Sequence, residues 1–565
     1  MRVVILGGYG VFGSRLAELL LRDGHEVWIV GRSIKKARAL AARIGGNAMA
    51  TDARMAPEAI FDCNPEIVVD AAGPFQTYID DPYLIPRMCL DRGVDYLDLS
   101  DDAGFTAGLA TLDQEASRMG RRLLSGASSV PGISSAVAAE LCRGFDEILL
   151  IETTILPGNR APRGMSVIAS IVGQLGAVSS VWRGGVWRDM PNWSDPQSVR
   201  LSPDLVRIGR FIEVPDIRLF PQFFGARSVM FRAGMELGLL NAALRGLAIL
   251  RRRWPFEMTA RRTRLLQRLA NLLLPFGTDR GGMRVAVVGR RGSALHRREW
   301  CLIAEAGDGP YIPIVTARAL IRRIHAVPSG ARPCLAEATL AEIEAAMLDL
   351  SVATVLTDNP YPTLFQSALA DRWAALPPEV QALHSVQDVE SFTGTARVTR
   401  GASVIARLAA WFFGFPPAVE NVPVTVTKTR TASGEIWERN FDGRVFRSYC
   451  TLASQPYRYR ERFWLFNYEQ DLPVDDGCLH FPVRRGWFLG IPLPQILLPA
   501  SDSREYARDG VFHFDVALSA PLGGGLIVHY RGQLWPDARR PEFPDGPPLR
   551  NAHIAPSDIE PRNKI

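Results

Sequence analysis

Seven residues near the start of the chain limit its fold more than any other stretch. Gly7, Gly8, Tyr9, Gly10, Val11, Phe12 and Gly13 follow a run of β-branched and apolar residues at 2–6. They precede a helical pattern in which Leu16, Leu19 and Leu20 share one face. Gly24 ends that pattern, and residues 26–30 read as a second strand. Strand, glycine turn, helix and strand, with G-x-G-x-x-G spacing at Gly8, Gly10 and Gly13, form the unit that cradles a dinucleotide. In this reading Gly8 permits the tight turn, Gly10 lets the backbone approach a pyrophosphate, and Gly13 lets the helix pack close. The free N–H groups and positive dipole end of the helix, at Val11 and Phe12, then face the phosphates.

The second strand runs into Gly31, Arg32 and Ser33. An NAD site commonly places Asp or Glu there to accept from the ribose hydroxyls. Here a guanidinium and a hydroxyl stand instead, and Arg32 suits a bidentate pairing with a 2′-phosphate. The expected cofactor is therefore NADP rather than NAD. A solvated arginine at a strand end is the plainer alternative.

At 565 residues the chain has room for two to four domains. Hydrophobic residues at 47% and charged residues at 22% are ordinary for a globular protein. A strand beginning at Arg2 predicts no N-terminal leader, and no apolar run is long enough to span a bilayer. Seven scattered cysteines form no C-x-x-C pair, so reduced thiols in a cytoplasmic setting and no metal site are expected. The net charge of +6 is mild and largely local.

Residues 45–52 suggest a third strand, with Asp52 either contacting the adenine side of a cofactor or serving as a turn aspartate. Residues 66–72 form a continuous apolar run, as in a parallel strand buried on both faces, and lead into Ala72, Gly73 and Pro74. Small residues at the carboxyl end of such a strand leave space for a ligand across the sheet. A fifth strand at 94–99 ends in Ser100, Asp101 and Asp102, and a sixth at 121–124 opens on a Ser/Gly-rich turn before Pro131.

Four segments in order, GGYGVFG at 7–13, AAGPF at 71–75, YLDLSDD at 96–102 and SGASSVPGISS at 125–135, resemble the saccharopine dehydrogenase-like oxidoreductases. The resemblance implies an α/β fold: a Rossmann doubly wound parallel sheet that binds the nicotinamide cofactor, interrupted by an inserted mixed α/β domain. It divides the chain into a dinucleotide-binding domain at 1–145, an inserted substrate or dimerisation domain at 146–307, and a return to the first domain at 308–352. It implies hydride transfer to or from a small molecule.

Within 229–274 apolar residues alternate with arginines. Leu265, Leu266, Leu269, Leu272 and Leu273 form a stripe against Arg261, Arg262, Arg264 and Arg268, after Arg251, Arg252, Arg253 and Trp254. Such a pair of helices suits peripheral contact with the inner face of a membrane, or leucines packed on the core or on a second copy in a homodimer. No nucleic-acid reading motif accompanies the basic residues.

Residues 360–540 read as a further domain, in which helical patterns come first and the period turns to two from Val422. About seven strands with two helices predict an α+β domain whose curved antiparallel sheet wraps a cavity, before a polar, proline-rich tail from about 540. This half resembles a C-terminal family of uncharacterised function joined to such oxidoreductases, which brings no chemistry with it.

Hydride transfer needs a group that supplies or removes a proton. The candidates at strand ends are Tyr78, Asp98, Ser100 and Asp101. Asp98 alternates with apolar neighbours, so a loop-anchoring role competes with a catalytic one. A cavity in the second half and amphipathic helices suit an apolar substrate. The alternatives to an enzyme are an NADP-binding sensor without turnover and a peripheral membrane or lipid-binding protein.

Overall fold

The computed structural model describes residues 1–78, 80–162 and 164–536. The tail expected from residue 540 lies outside them.

The first sheet is parallel and has seven strands. Six come early: β1 (Arg2–Leu6), β2 (Glu26–Gly31), β3 (Asn47–Ala50), β4 (Ile67–Asp70), β5 (Asp95–Asp98) and β6 (Arg122–Ser125). The seventh, Gly330–Pro333, pairs with β6 from two hundred residues away. The order from that strand inward is β6, β5, β4, β1, β2, β3. Val3, Val4, Ile5, Val68 and Val69 are fully buried, because helices cover both faces of the sheet. The order reverses between β1 and β4. That break is where a doubly wound sheet opens a crevice at the carboxyl ends of its strands.

A second, mixed sheet takes residues between and after these. Its order is Gln197–Ser202, Leu205–Phe211, Val229–Ala233, Glu147–Leu156, Gly281–Arg291, Ala294–Ala304 and Val352–Pro360. Glu152 lies buried on it and takes three arginines: Arg232, Arg284 (Nη2, 2.9 Å) and Arg297 (Nη2, 3.2 Å). Arg232 also reaches Asp195 at 2.5 Å, and Arg297 reaches Glu299 at 2.6 Å. A lone carboxylate at this depth would be costly; the surrounding guanidinium groups hold it at about 2, below the usual range.

The third sheet is antiparallel and has thirteen strands. Val389–Arg400 lies at its middle, flanked by Val419–Thr431 and Leu526–Pro536. Among the described residues, helices Leu364–Leu369, Pro378–Leu383 and Val404–Phe412 lie before or between its strands. Sequence patterning predicts about seven strands and two helices here. The surplus includes Val474–Asp475, Cys478–His480 and Ile491–Pro492, which are too short to display a period of two. This sheet is fixed to the hairpin Val178–Arg183/Val186–Pro191. There Arg183 forks onto Asp388 (Nε to Oδ2, 2.9 Å), Arg188 reaches Ser391, and Arg227 reaches Glu390.

Candidate active site

The glycine turn closes tightly over the end of β1. Gly7 takes φ +66°, the left-handed region that favours glycine, so Gly7 rather than Gly8 makes the turn. Its carbonyl accepts the Gly10 amide at 2.8 Å. A Cβ on Gly13 would lie 2.4 Å from that same carbonyl oxygen, and one on Gly7 would lie 2.7 Å from Ala72 Cα. Gly8 is pressed against Ile29 of β2. The helix Val11–Arg22 (α1) starts at Gly10 with no side chain capping its first amides. Those N–H groups need a partner, and a bare backbone leaves room for one.

At the end of β2 the side chain of Arg32 is exposed and has no partner among the described residues. Ser33 caps the next helix, its Oγ accepting from the Lys36 amide at 3.4 Å. Its own amide donates to the Tyr9 hydroxyl at 3.1 Å. The Tyr9 ring lies over Gly31, where a Cβ would come within 2.5 Å, and Lys36 stands 5.9 Å from that ring. Tyr9 and Lys36 were not legible as site residues. Their place depends on the turn folding back over β2, a contact without local periodicity. Asp52 accepts the Arg54 amide at 3.1 Å, so one of its oxygens serves the local turn.

At the end of β4, Ala72 donates its amide to the buried Asp70 at 2.8 Å, and a cis Gly73–Pro74 bond follows. The Tyr78 hydroxyl points at the other Asp70 oxygen from 3.5 Å. Arg54 stacks over the Tyr78 ring at 4.4 Å. Burial pushes Asp70 up to about 6 and, with the Asp70 charge, raises Tyr78 above the ordinary phenol value. Asp70 was overlooked because a carboxylate inside an apolar strand run reads as part of the strand.

At the end of β5 the polar residues of Asp98–Asp102 divide into two roles. Asp98 is wholly buried, and its Oδ1 accepts from the Ser100 amide (2.9 Å), the Ser125 hydroxyl (2.9 Å) and the Gly126 amide (2.8 Å). Burial pushes it up to about 7. Ser100 is wholly buried too, and its Oγ accepts the Asp102 amide at 3.2 Å. Asp98 and Ser100, both expected as candidate catalytic groups, are buried here, and their hydrogen bonds hold the loop. Asp101 is only half-buried; desolvation raises its carboxyl, opposed by a hydrogen bond from Ser170 of the helix Met165–Gln174. Asp102 caps the helix Ala103–Gly108 through the Phe105 amide at 2.8 Å. Asp101 and Tyr78 are thus the candidate groups with surface left to meet a substrate.

Residues 3–122 match the family model described as saccharopine dehydrogenase NADP binding domain. Residues 376–534 match DUF4166, a domain of unknown function. The chain joins a saccharopine dehydrogenase NADP binding domain to a DUF4166 domain. The first is a nucleotide-binding domain of oxidoreductases, and the cradle at Gly7–Gly13 belongs to it. No curated protein matches the chain. Among solved structures, apo histidine-tagged saccharopine dehydrogenase (L-Glu forming) from Saccharomyces cerevisiae is 13% identical. The match covers 63% of this chain and 99% of that one, with a TM-score of 0.46. A probable dehydrogenase from Thermotoga maritima is 12% identical over 62% of this chain and 94% of its own, with a TM-score of 0.32. A 3-ketoacyl-(acyl-carrier-protein) reductase from Brucella melitensis complexed with NADH is 19% identical over 22% of this chain and 72% of its own, at 0.18.

The residues of the NADP binding domain fit a dinucleotide. A Cβ on Gly7, Gly10 or Gly13 would press on the backbone of the turn, so these glycines let it close, and the amides at the start of α1 are uncapped. Among the described residues, no group of three or more His, Cys, Asp or Glu side chains stands ready for a metal, and no helix is long and apolar enough to cross a membrane. The helices Gly238–Arg253 and Ala260–Asn271 carry the basic stripe. Leu266 packs toward the core, whereas Leu265, Leu269 and Leu272 are more than half exposed beside the arginines.

Proposed function

We propose that the protein is an NADP(H)-dependent oxidoreductase acting on a weakly polar small molecule. The observation that carries this is the tight contact of Gly13 with the Gly7 carbonyl under an uncapped helix start. Gly8, Gly10, Val11 and Phe12 would hold the pyrophosphate, and Ala72, Gly73 and Pro74 would border the nicotinamide side. Arg32, with Ser33 next to it and Lys36 one helical turn on, would take the 2′-phosphate; no carboxylate lies among residues 31–36. The bound nicotinamide supplies or accepts the hydride. Asp101, with its raised carboxyl, would move the proton, and the Tyr78 hydroxyl, kept protonated, would orient the substrate oxygen or nitrogen.

The choice of a weakly polar substrate over a polycarboxylate is supported by the second sheet. Arg232, Arg284 and Arg297 are directed at Glu152, Asp195 and Glu299, so these guanidinium groups are already matched by carboxylates. A polycarboxylate substrate would have to displace them. The test is titration of the full chain with NADPH and NADH, followed by nicotinamide fluorescence. Saturable binding with preference for NADPH is expected; no saturable change with either nucleotide overturns the proposal, and equal affinity overturns the choice of NADP.

A second reading adds peripheral attachment of the protein to an anionic membrane face. It is favoured by Trp254, Leu265, Leu269, Leu272 and Phe276, exposed next to Arg251, Arg252, Arg253, Arg261, Arg262, Arg264 and Arg268. The same face would serve a homodimer. Flotation with anionic vesicles distinguishes the two: vesicle binding lost when Arg251, Arg252 and Arg253 become Glu supports the membrane. A concentration-dependent dimer with no flotation supports the second copy.

A further inference from the structure

The DUF4166 sheet encloses a cavity of about 450 Å³. Its volume falls in the range of small-molecule sites, and its walls are largely apolar, including Phe413, Val424, Phe441, Phe463 and Phe512. Into this wall are set four charged side chains: Lys428, Arg439, Glu461 and Glu505. We propose that this cavity binds one neutral, chain-like apolar molecule, whose single oxygen acceptor meets the Lys428 ammonium. The site stands apart from the nucleotide cradle, and the inference holds whether or not a nucleotide binds there.

The polar groups explain why the head should be neutral. Arg439 pairs with Glu461 at 3.2 Å, and the Ser448 hydroxyl takes another of its N–H groups at 2.9 Å. Glu505 accepts from His384 at 2.5 Å. His384 is fully buried and held down to about 4, so it is uncharged at neutral pH and Glu505 keeps its negative charge. Burial lowers Lys428 to about 8, and the Glu505 charge facing it opposes that shift and keeps it an ammonium at neutral pH. The four lining charges therefore balance, and an added carboxylate would be an unmatched buried charge.

Lys428 is nevertheless left with donor capacity. The side chain is fully buried, and its Nζ lies 3.6 Å from the centroid of the Trp437 ring. Nζ donates to the Leu383 carbonyl at 3.1 Å and meets His384 Nδ1 at 3.3 Å. An ammonium has three N–H groups, so one remains for an acceptor in the cavity. The Trp437 ring face compensates the ammonium in part, and a carbonyl or hydroxyl oxygen in the cavity would give its third N–H a hydrogen bond.

The entrance can be placed from exposure. Ile405 and Leu408, on the helix Val404–Phe412, line the cavity and yet are 53% and 62% exposed. Leu497 lines it too and is 40% exposed. Beyond them Trp411 and Trp464 are both 80% exposed, and the Phe412 and Trp464 rings meet at 5.9 Å. An apolar rim around an apolar cavity lets a water-insoluble molecule enter without crossing a polar surface.

The experiment uses the full chain and three probes that share one apolar body: retinol, retinal and retinoic acid. Binding is followed by retinol fluorescence and by competition with the other two. One retinol per chain, displaced by retinal and at least ten times less readily by retinoic acid, is expected. Ala409 lines the mouth on a half-exposed helix face, so Ala409→Trp should plug it without disturbing the fold. That variant should melt like the parent and bind retinol at least tenfold more weakly. No saturable binding of retinol or retinal, or binding that Ala409→Trp leaves unchanged, overturns the site. Retinoic acid binding as tightly as retinol overturns the neutral head.

Discussion

Asp98 Oδ1 accepts the Gly126 amide at 2.8 Å, so the end of β5 holds the turn that leaves β6. The same oxygen takes the Ser100 amide and the Ser125 hydroxyl. Replacing it by Ala would strand three buried donors. Asp98→Ala should lose on the order of 3 kcal/mol in denaturant unfolding. Asp98→Asn keeps an acceptor oxygen and should lose less. If Asp98→Asn instead keeps full stability and abolishes turnover, Asp98 is a catalytic group and not an anchor.

Arg32 is the guanidinium expected at the 2′-phosphate. Arg32→Ala should weaken NADPH by about ten- to a hundredfold, corresponding to the loss of a charge-assisted hydrogen bond of about 1.5–3 kcal/mol. NADH should change little. Nicotinamide fluorescence with both nucleotides reads the difference, and equal weakening refutes the assignment.

Arg183 and Asp388 form a buried pair between the hairpin Val178–Arg183/Val186–Pro191 and the DUF4166 domain. Arg183→Ala leaves the Asp388 charge buried and unmatched, at a cost of about 3–5 kcal/mol. Changing both residues to Ala should recover a large part of that loss. Thermal unfolding of the two single variants and the double variant measures it.

Two buried groups give stability opposite dependences on pH. Burial raises Asp216 from 3.8 to about 7, with the Ser134 and Thr153 hydroxyls partly opposing it. The folded chain then holds a proton that the unfolded chain has released, so stability falls as pH rises from about 4 to about 7. His384 is lowered from 6.5 to about 4. Here the unfolded chain binds the extra proton, and stability falls as pH drops through that interval. Each slope is at most about 1.4 kcal/mol per pH unit. Between about pH 4 and 6.5 the two slopes largely cancel, so Asp216→Asn should unmask the His384 slope: stability then falls as pH drops from about 6.5 toward 4. Melting temperatures from pH 4 to pH 8 test this.

The nucleotide cradle was readable because every part of it is local. Gly8 and Gly10 sit between a strand and a helix whose apolar periods are unbroken, and Gly13 lies in that helix's first turn. What could not be read depends on distant pairing. Tyr9 over Gly31, Asp70 beneath Tyr78, and Lys428 against His384 join residues whose separation in sequence carries no pattern. The leucine stripe shows a third limit. Periodicity places Leu265 and Leu269 on one face, but only tertiary packing decides that this face is left to solvent.

The strand Gly330–Pro333 has a consequence for synthesis. It covers the outer edge of β6, yet it leaves the ribosome about two hundred residues after β6 does. At a translation rate of about 5–20 residues per second, the nascent nucleotide-binding half waits some 10–40 s with an unpaired β-edge. A cell making this protein must shield that edge, by a chaperone or by slow maturation of the half itself, until the chain has gone out through the second sheet and come back.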